Sequence, residues 1–276
     1  MALILKRAYQ SYFWLMDELS DPRALEYPLM RSPIPTIIIL YLWLKFIFHW
    51  GPEYMKTREP FNLKKIMIVY NILQMIANAY IVYYTIMARD IINWRCTEVD
   101  YSNSYWGRKF LSVAYFYYML KISDLLDTVF FVLRKKNSHV SFLHTYHHFG
   151  MVILGWIATK FLGGGHSYFV GMANAAVHTI MYGYYLLTAY DSKFSKMIWL
   201  KRFITQAQLV QFGFILFVFV QLLFSGESCR YPKIIAYFII PQNIFMITLF
   251  GDFYIRTYIL APRKKKIAKA LLKDDS

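Results

Sequence analysis

Three histidines, His144, His147 and His148, project from an apolar stretch that runs from about residue 140 to 162. At positions i, i+3 and i+4 of a helix they share one face at neighbouring heights. Imidazoles so placed can accept an acyl group, carry protons or ligate a metal. Polar groups inside a membrane span are costly enough to mark functional sites by default.

Further polar residues interrupt other apolar runs. Lys121, Asp124 and Asp127 recur at intervals of three before the histidines. After them come Asn174 and His178, followed by Tyr182 and Tyr185, then Gln208 and Gln211. Intramembrane Asn, Gln and His often only tie helices together. A set holding a lysine, two aspartates and four histidines exceeds what such ties need.

The elements that must position these residues are spans. Of 276 residues, 58% are hydrophobic and 20% aromatic, which is the composition of a polytopic membrane protein. Taking about twenty apolar residues per crossing predicts seven transmembrane helices near 33–50, 66–88, 110–133, 140–162, 167–190, 203–224 and 234–260. No short apolar core with a small-residue cleavage site opens the chain, so no removable signal peptide is expected. The net charge of +15 lies in short clusters between spans rather than in a separate basic domain, which argues against nucleic acid as a partner. Lys56, Arg58, Lys64 and Lys65 follow span one. Arg134, Lys135 and Lys136 follow span three, and Lys193, Lys196, Lys201 and Arg202 follow span five. The tail adds Arg263 and five lysines. All four clusters then face the cytosol, with the N-terminus lumenal. Cys96 and Cys229, the only cysteines, fall in loops on the opposite side. An oxidising lumen there predicts a Cys96–Cys229 disulfide. A rise of about 1.5 Å per residue places the polar residues of spans three to six roughly 9 to 22 Å from the cytosolic face. That depth predicts a cytosol-facing substrate tunnel with a reactive polar layer near its mouth and an apolar section beyond.

In order, the chain reads Lys121-x-x-Asp124-x-x-Asp127-Thr128, Leu143-His144-x-x-His147-His148, Asn174-x-x-x-His178-x-x-Met181-Tyr182-x-Tyr184-Tyr185 and Thr205-x-x-Gln208-x-x-Gln211. These four boxes resemble the very-long-chain fatty acid elongases of the endoplasmic reticulum. Asp124 departs from that pattern, since the family usually has glutamate there; Asp127 is therefore favoured over it as a site residue. The tail also lacks a terminal di-lysine signal, so residence in the reticulum rests on the resemblance. The resemblance implies a 3-ketoacyl-CoA synthase that condenses acyl-CoA with malonyl-CoA in a decarboxylating Claisen reaction, with no cofactor and no metal. It implies an acyl-imidazole at His147, with His144 and His148 assisting, Asp127 fixing a ring tautomer, and His178 with Asn174 serving the thioester enolate. Lys121, Tyr182, Tyr185, Gln208 and Gln211 would line the substrate path. CoA phosphates suit the cytosolic cations Arg134, Lys135, Lys136, Lys201, Arg202 and Arg263, although positive-inside topology alone would also put charges there.

Two other classes stand against this reading. Membrane desaturases share His-x-x-His-His, and His139-x4-His144 mimics a second box for a di-iron centre. Enzymes of that class need about eight histidines from separate boxes, and this chain has seven in all. A receptor or transporter is the non-enzyme alternative, but no inverted repeat or pair of interrupted spans supports it. The expected organisation is an N-terminal lumenal segment (1–32), a seven-span catalytic domain (33–260) and a basic cytosolic tail (261–276). Expected partners are the bilayer, the two CoA substrates, other enzymes of the elongation cycle, and homo- or hetero-oligomers. His49 and His166 read as ordinary interfacial histidines.

Overall fold

The computed structural model describes residues 1–262, and every regular element among them is helical. The tail from Arg263 onwards lies outside the described residues. The N-terminal segment carries a helix, α1 (Ala2–Phe13), and a short 3-10 turn (Pro22–Glu26). Then α2 (Ile34–Lys45) continues through a π turn (Phe46–Trp50) into α3 (Gly51–Met55). Next come α4 (Lys64–Met87), α5 (Tyr105–Leu133) and α6 (Phe142–Ile157), the last prolonged by a π turn (Ala158–Leu162). After α7 (Tyr168–Tyr190) and α8 (Ile198–Leu223), α9 (Ile234–Tyr254) ends in a π stretch (Ile255–Leu260).

Four of these rods, Ile34–Met55, Lys64–Met87, Ile198–Leu223 and Ile234–Leu260, are long and apolar enough to cross a membrane. The other long helices, α5, α6 and α7, hold the lysine, aspartates, asparagine and histidines singled out above, and those side chains dilute their apolarity. Helix starts also differ from the sequence-based spans. Ser104 caps α5 by accepting a hydrogen bond from the Gly107 amide at 2.9 Å, several residues before the apolar run at 110. Ser141 caps α6 by accepting from the His144 amide at 3.2 Å. These two helices begin where a side chain satisfies the first free amides, not where apolarity begins.

The chain folds as two compact units. The first comprises residues 1–66, 83–171 and 229–231. Its core joins Leu40, Trp43 and Ile47 of the first rod to Tyr118, Leu125 and Val132 of α5 and Val152 and Trp156 of α6. Directional bonds fix the register: the Trp43 indole donates to the Leu125 carbonyl at 3.0 Å, and the Thr36 and Tyr118 hydroxyls meet at 2.7 Å. A Cβ on Gly155 would lie 3.3 Å from the Tyr118 Cα. Glycine at that point lets α6 approach the α5 backbone closely, which is how helices associate where lipid removes the usual hydrophobic drive.

At the far end of this unit Arg23 grips Asp21 through Nε (3.0 Å) and Nη2 (2.7 Å) and donates to the carbonyls of Asp100 and Ser102. Cys96 and Cys229 are joined by a disulfide nearby in sequence to Arg230, whose amide donates to Glu98 at 3.1 Å. His166 corrects the interfacial reading. It is fully buried, its Nδ1 accepts from the Thr97 amide at 3.4 Å, and its ring lies near Phe169 (5.1 Å) and Tyr231 (5.6 Å). Lys160 is likewise fully buried, although its stretch reads as built for lipid apart from the histidines. The groups that enclose both arrive from distant segments, which periodicity does not register.

The second unit comprises residues 67–82, 172–228 and those from 232 onwards. Within it α8 packs along α9, burying Phe212, Ile215, Phe219 and Leu222 together with Ala236, Ile239 and Met246. Phe212 and Phe250 meet at 5.2 Å.

Candidate active site

In the first unit a short connector builds the site. After α5, Lys135 takes a left-handed backbone conformation (φ 54°), and one 3-10 turn (Asn137–His139) leads into α6. Helices joined so briefly pack as neighbours, and α5 lies against α6. The histidine box therefore faces the last turns of α5. The His144 Nε2 lies 2.8 Å from the Thr128 hydroxyl. One turn further along α5, the Phe131 ring packs on His144 at 5.3 Å and on His139 at 5.1 Å. The three imidazoles touch in sequence: His144 and His148 centroids are 4.3 Å apart, His147 and His148 5.6 Å. His148 is buried, while His144 and His147 are half-buried.

Deeper along α5, Lys121 and Asp124 form an ion pair at 2.7 Å, each side chain 1% exposed. The Lys121 ammonium also lies 4.9 Å from the centre of the Tyr117 ring. This pair accounts for the aspartate at the position where the resemblance implies glutamate: at a spacing of three on one helix the shorter side chain still reaches the lysine. Asp127 is half-buried on the same helix, as is Arg134, whereas Lys135 and Lys136 are exposed.

The second unit holds the remaining residues. Asn174, His178 and Tyr182 are buried along α7, Tyr185 is half-buried, and on α8 Gln211 is buried and Gln208 half-buried. Ring contacts link some of them: His178 meets Tyr182 at 5.7 Å, Tyr182 meets Tyr185 at 6.0 Å, and Tyr70 of α4 meets Tyr182 at 5.9 Å. Gln74, one turn after Tyr70, donates to the Tyr70 hydroxyl at 3.0 Å. Sequence does not reveal Tyr70 and Gln74, because a lone tyrosine and glutamine in an apolar helix carry no motif. Lys201 and Arg202 are exposed, and Arg202 donates through Nε to the Tyr254 hydroxyl at 2.7 Å. The structure thus holds the box, Thr128, Lys121 and Asp124 in one unit, and in the other it holds Asn174 and sets His178 against Tyr182. Among the described residues, no three His, Cys, Asp or Glu side chains converge as ligands of a metal ion would.

Such an arrangement offers clustered imidazoles beside a buried ammonium, the equipment of acyl transfer with electrostatic support. Comparison with known proteins places the chain among the fatty acid elongases. The profile of the ELO: GNS1/SUR4 family matches residues 28–266. The chain is similar to a very long chain fatty acid elongase of Aedes aegypti, 38% identical over 97% of this chain and 75% of the relative. Similarity to very long chain fatty acid elongase 4 of Homo sapiens is 39% identity over 95% of this chain and 82% of the relative. With very long chain fatty acid elongase 7 of Rattus norvegicus the identity is 39%, over 92% and 90% respectively.

Proposed function

We propose that this chain, which belongs to the ELO (GNS1/SUR4) family, is the condensing enzyme of fatty acid elongation in the endoplasmic reticulum membrane. It joins a long-chain acyl-CoA to malonyl-CoA and releases CoA and carbon dioxide, giving 3-ketoacyl-CoA. The observation that carries this reading is the histidine box held against α5 beside the buried Lys121–Asp124 pair, in a chain of this family.

In the first half-reaction the His147 ring nitrogen attacks the acyl-CoA carbonyl. A C–N bond forms, the C–S bond breaks, and the CoA thiolate leaves with the imidazole proton. Malonyl-CoA then loses its carboxylate as carbon dioxide, and the electron pair of the broken C–C bond becomes an enolate. The enolate carbon attacks the acyl-imidazole, the C–N bond breaks, and His147 regains a proton. Lys121 supplies positive charge to the layer. Both cysteines are consumed in the disulfide, so no free thiol competes with histidine for the acyl group. Seven crossings, a lumenal N-terminus and a tunnel open to the cytosol complete the proposal, with the basic clusters from Arg134 to Lys136 and at Lys201 and Arg202 meeting CoA phosphates.

Intact-protein mass spectrometry after incubation with acyl-CoA alone tests this. The wild type should gain the mass of one acyl group and His147→Ala none. An acylated His147→Ala protein, or an unmodified wild type that still condenses both substrates, would overturn the assignment.

A further inference from the structure

We infer that Thr128 is a positioning residue that locks His144 into the neutral tautomer with its proton on Nδ1, and thereby removes His144 from the candidates for acyl acceptor. This rests in part on the condensing reading, and deepens it by dividing labour within the histidine box.

Four helix threonines of this chain make the same local bond. Thr159, Thr179, Thr205 and Thr248 each donate their hydroxyl to the backbone carbonyl four residues earlier, at 2.8 to 3.1 Å. That local bond is the ordinary refuge of a threonine on a helix. Thr128 does otherwise. Its side chain is fully buried, and among the described residues its hydroxyl bonds only the His144 Nε2, at 2.8 Å. Leaving the proton of a buried hydroxyl without an acceptor is unfavourable, because its bond to water is lost and not replaced. The hydroxyl therefore donates, and the Nε2 lone pair accepts. His144 is then neutral, with its remaining proton on Nδ1.

Three further contacts hold the same residue. Ser141 accepts from the His144 amide and fixes its backbone at the start of α6. Phe131 packs against one side of the ring, and His148 touches it at 4.3 Å. With Nε2 occupied by a hydroxyl and the ring clamped, His144 has no free lone pair with which to take an acyl group. What it can offer the neighbouring imidazoles is the Nδ1–H as a fixed donor. A tautomer set by a partner on the other ring nitrogen is a general way of orienting histidine.

The test uses the full chain in nanodiscs with 15N-labelled histidine, comparing wild type, Thr128→Val and Thr128→Ser, with His144→Gln to assign the signal. In the wild type the His144 signals should be those of a protonated Nδ1 and an unprotonated Nε2. Thr128→Val, which keeps the shape and loses the hydroxyl, should mix the tautomers, and Thr128→Ser should restore the wild-type pattern. In the condensation assay Thr128→Val should lower kcat by about tenfold to a hundredfold at near-constant KM, with serine recovering most of the loss. A wild-type His144 protonated on Nε2, or a folded serine variant as slow as the valine one, would overturn the inference. Should valine fail to fold, the wild-type and serine spectra still decide. The spectra need no substrate, so a wild type without condensation activity would count against the proposed function while the tautomer stands or falls on its own.

Discussion

Lys121 and Asp124 illustrate how much rests on single side chains. Two charges that are 1% exposed neutralise each other at 2.7 Å, which offsets much of the cost of burying them. Removing one partner strands the other, so Lys121→Met or Asp124→Leu alone should cost about 3–5 kcal/mol, whereas the double replacement should recover much of it. Thermal denaturation of the three variants in one detergent measures this, and additive losses would refute the pairing. Activity should not return in the double variant, because the ammonium is lost with it. At this scale the sequence discloses which residues are unusual and in what order they come, and the family they resemble is the family the comparisons found. Partnership stays hidden. The shorter side chain of Asp124 argues against it on sequence alone, yet spacing of three on a helix suffices for its bond to Lys121. His166 gives no sign of full burial, since Thr97 and Tyr231, which lie against it, come from distant segments.

Among elements, α6 depends on its first turn and on one glycine. Ser141→Ala removes the cap and should cost about 0.5–2 kcal/mol, with faster amide exchange at residues 142–145 as the local readout. Protection equal to wild type there would mean that packing on α5 alone holds the turn. Gly155→Val places a Cβ against the Tyr118 backbone and should cost about 1–3 kcal/mol or separate the two helices. A valine protein that melts with the wild type would show the crossing to be loose. Three of the long helices look least like membrane spans by composition for a reason inherent in the chemistry: histidines, an asparagine and an ion pair cannot be both reactive layer and lipid-like sequence. Helix starts are hard to read from apolar runs because those runs report burial, while Ser104 and Ser141 report hydrogen bonding. The π turn after Ile157 has no sequence signature of comparable strength.

For the molecule as a whole, the cysteine end of the first unit is where pH and redox state act. Hydrogen bonds from Ser102 and Ser104 hold the Asp100 carboxyl below its ordinary range. A carboxyl whose folded pKa is depressed contributes stability above its unfolded value of about 4, and loses it as pH falls through the folded one. Amide exchange at residues 100–104, corrected for intrinsic rates, should therefore accelerate below about pH 4, and an Asp100→Asn protein should show no such step. Cutting the disulfide frees a loop of 133 residues, which by chain entropy removes at most about 5 kcal/mol. Thermal stability with and without reductant measures that loss, and an unchanged midpoint would show that packing alone secures residues 229–231. The same bond imposes a rule of parity. Two thiols can join only on one side of a bilayer, so the backbone between residues 96 and 229 must pass through it an even number of times. With α8, which lies in that interval and is apolar enough to cross, counted as one passage, α5, α6 and α7 would together supply an odd number.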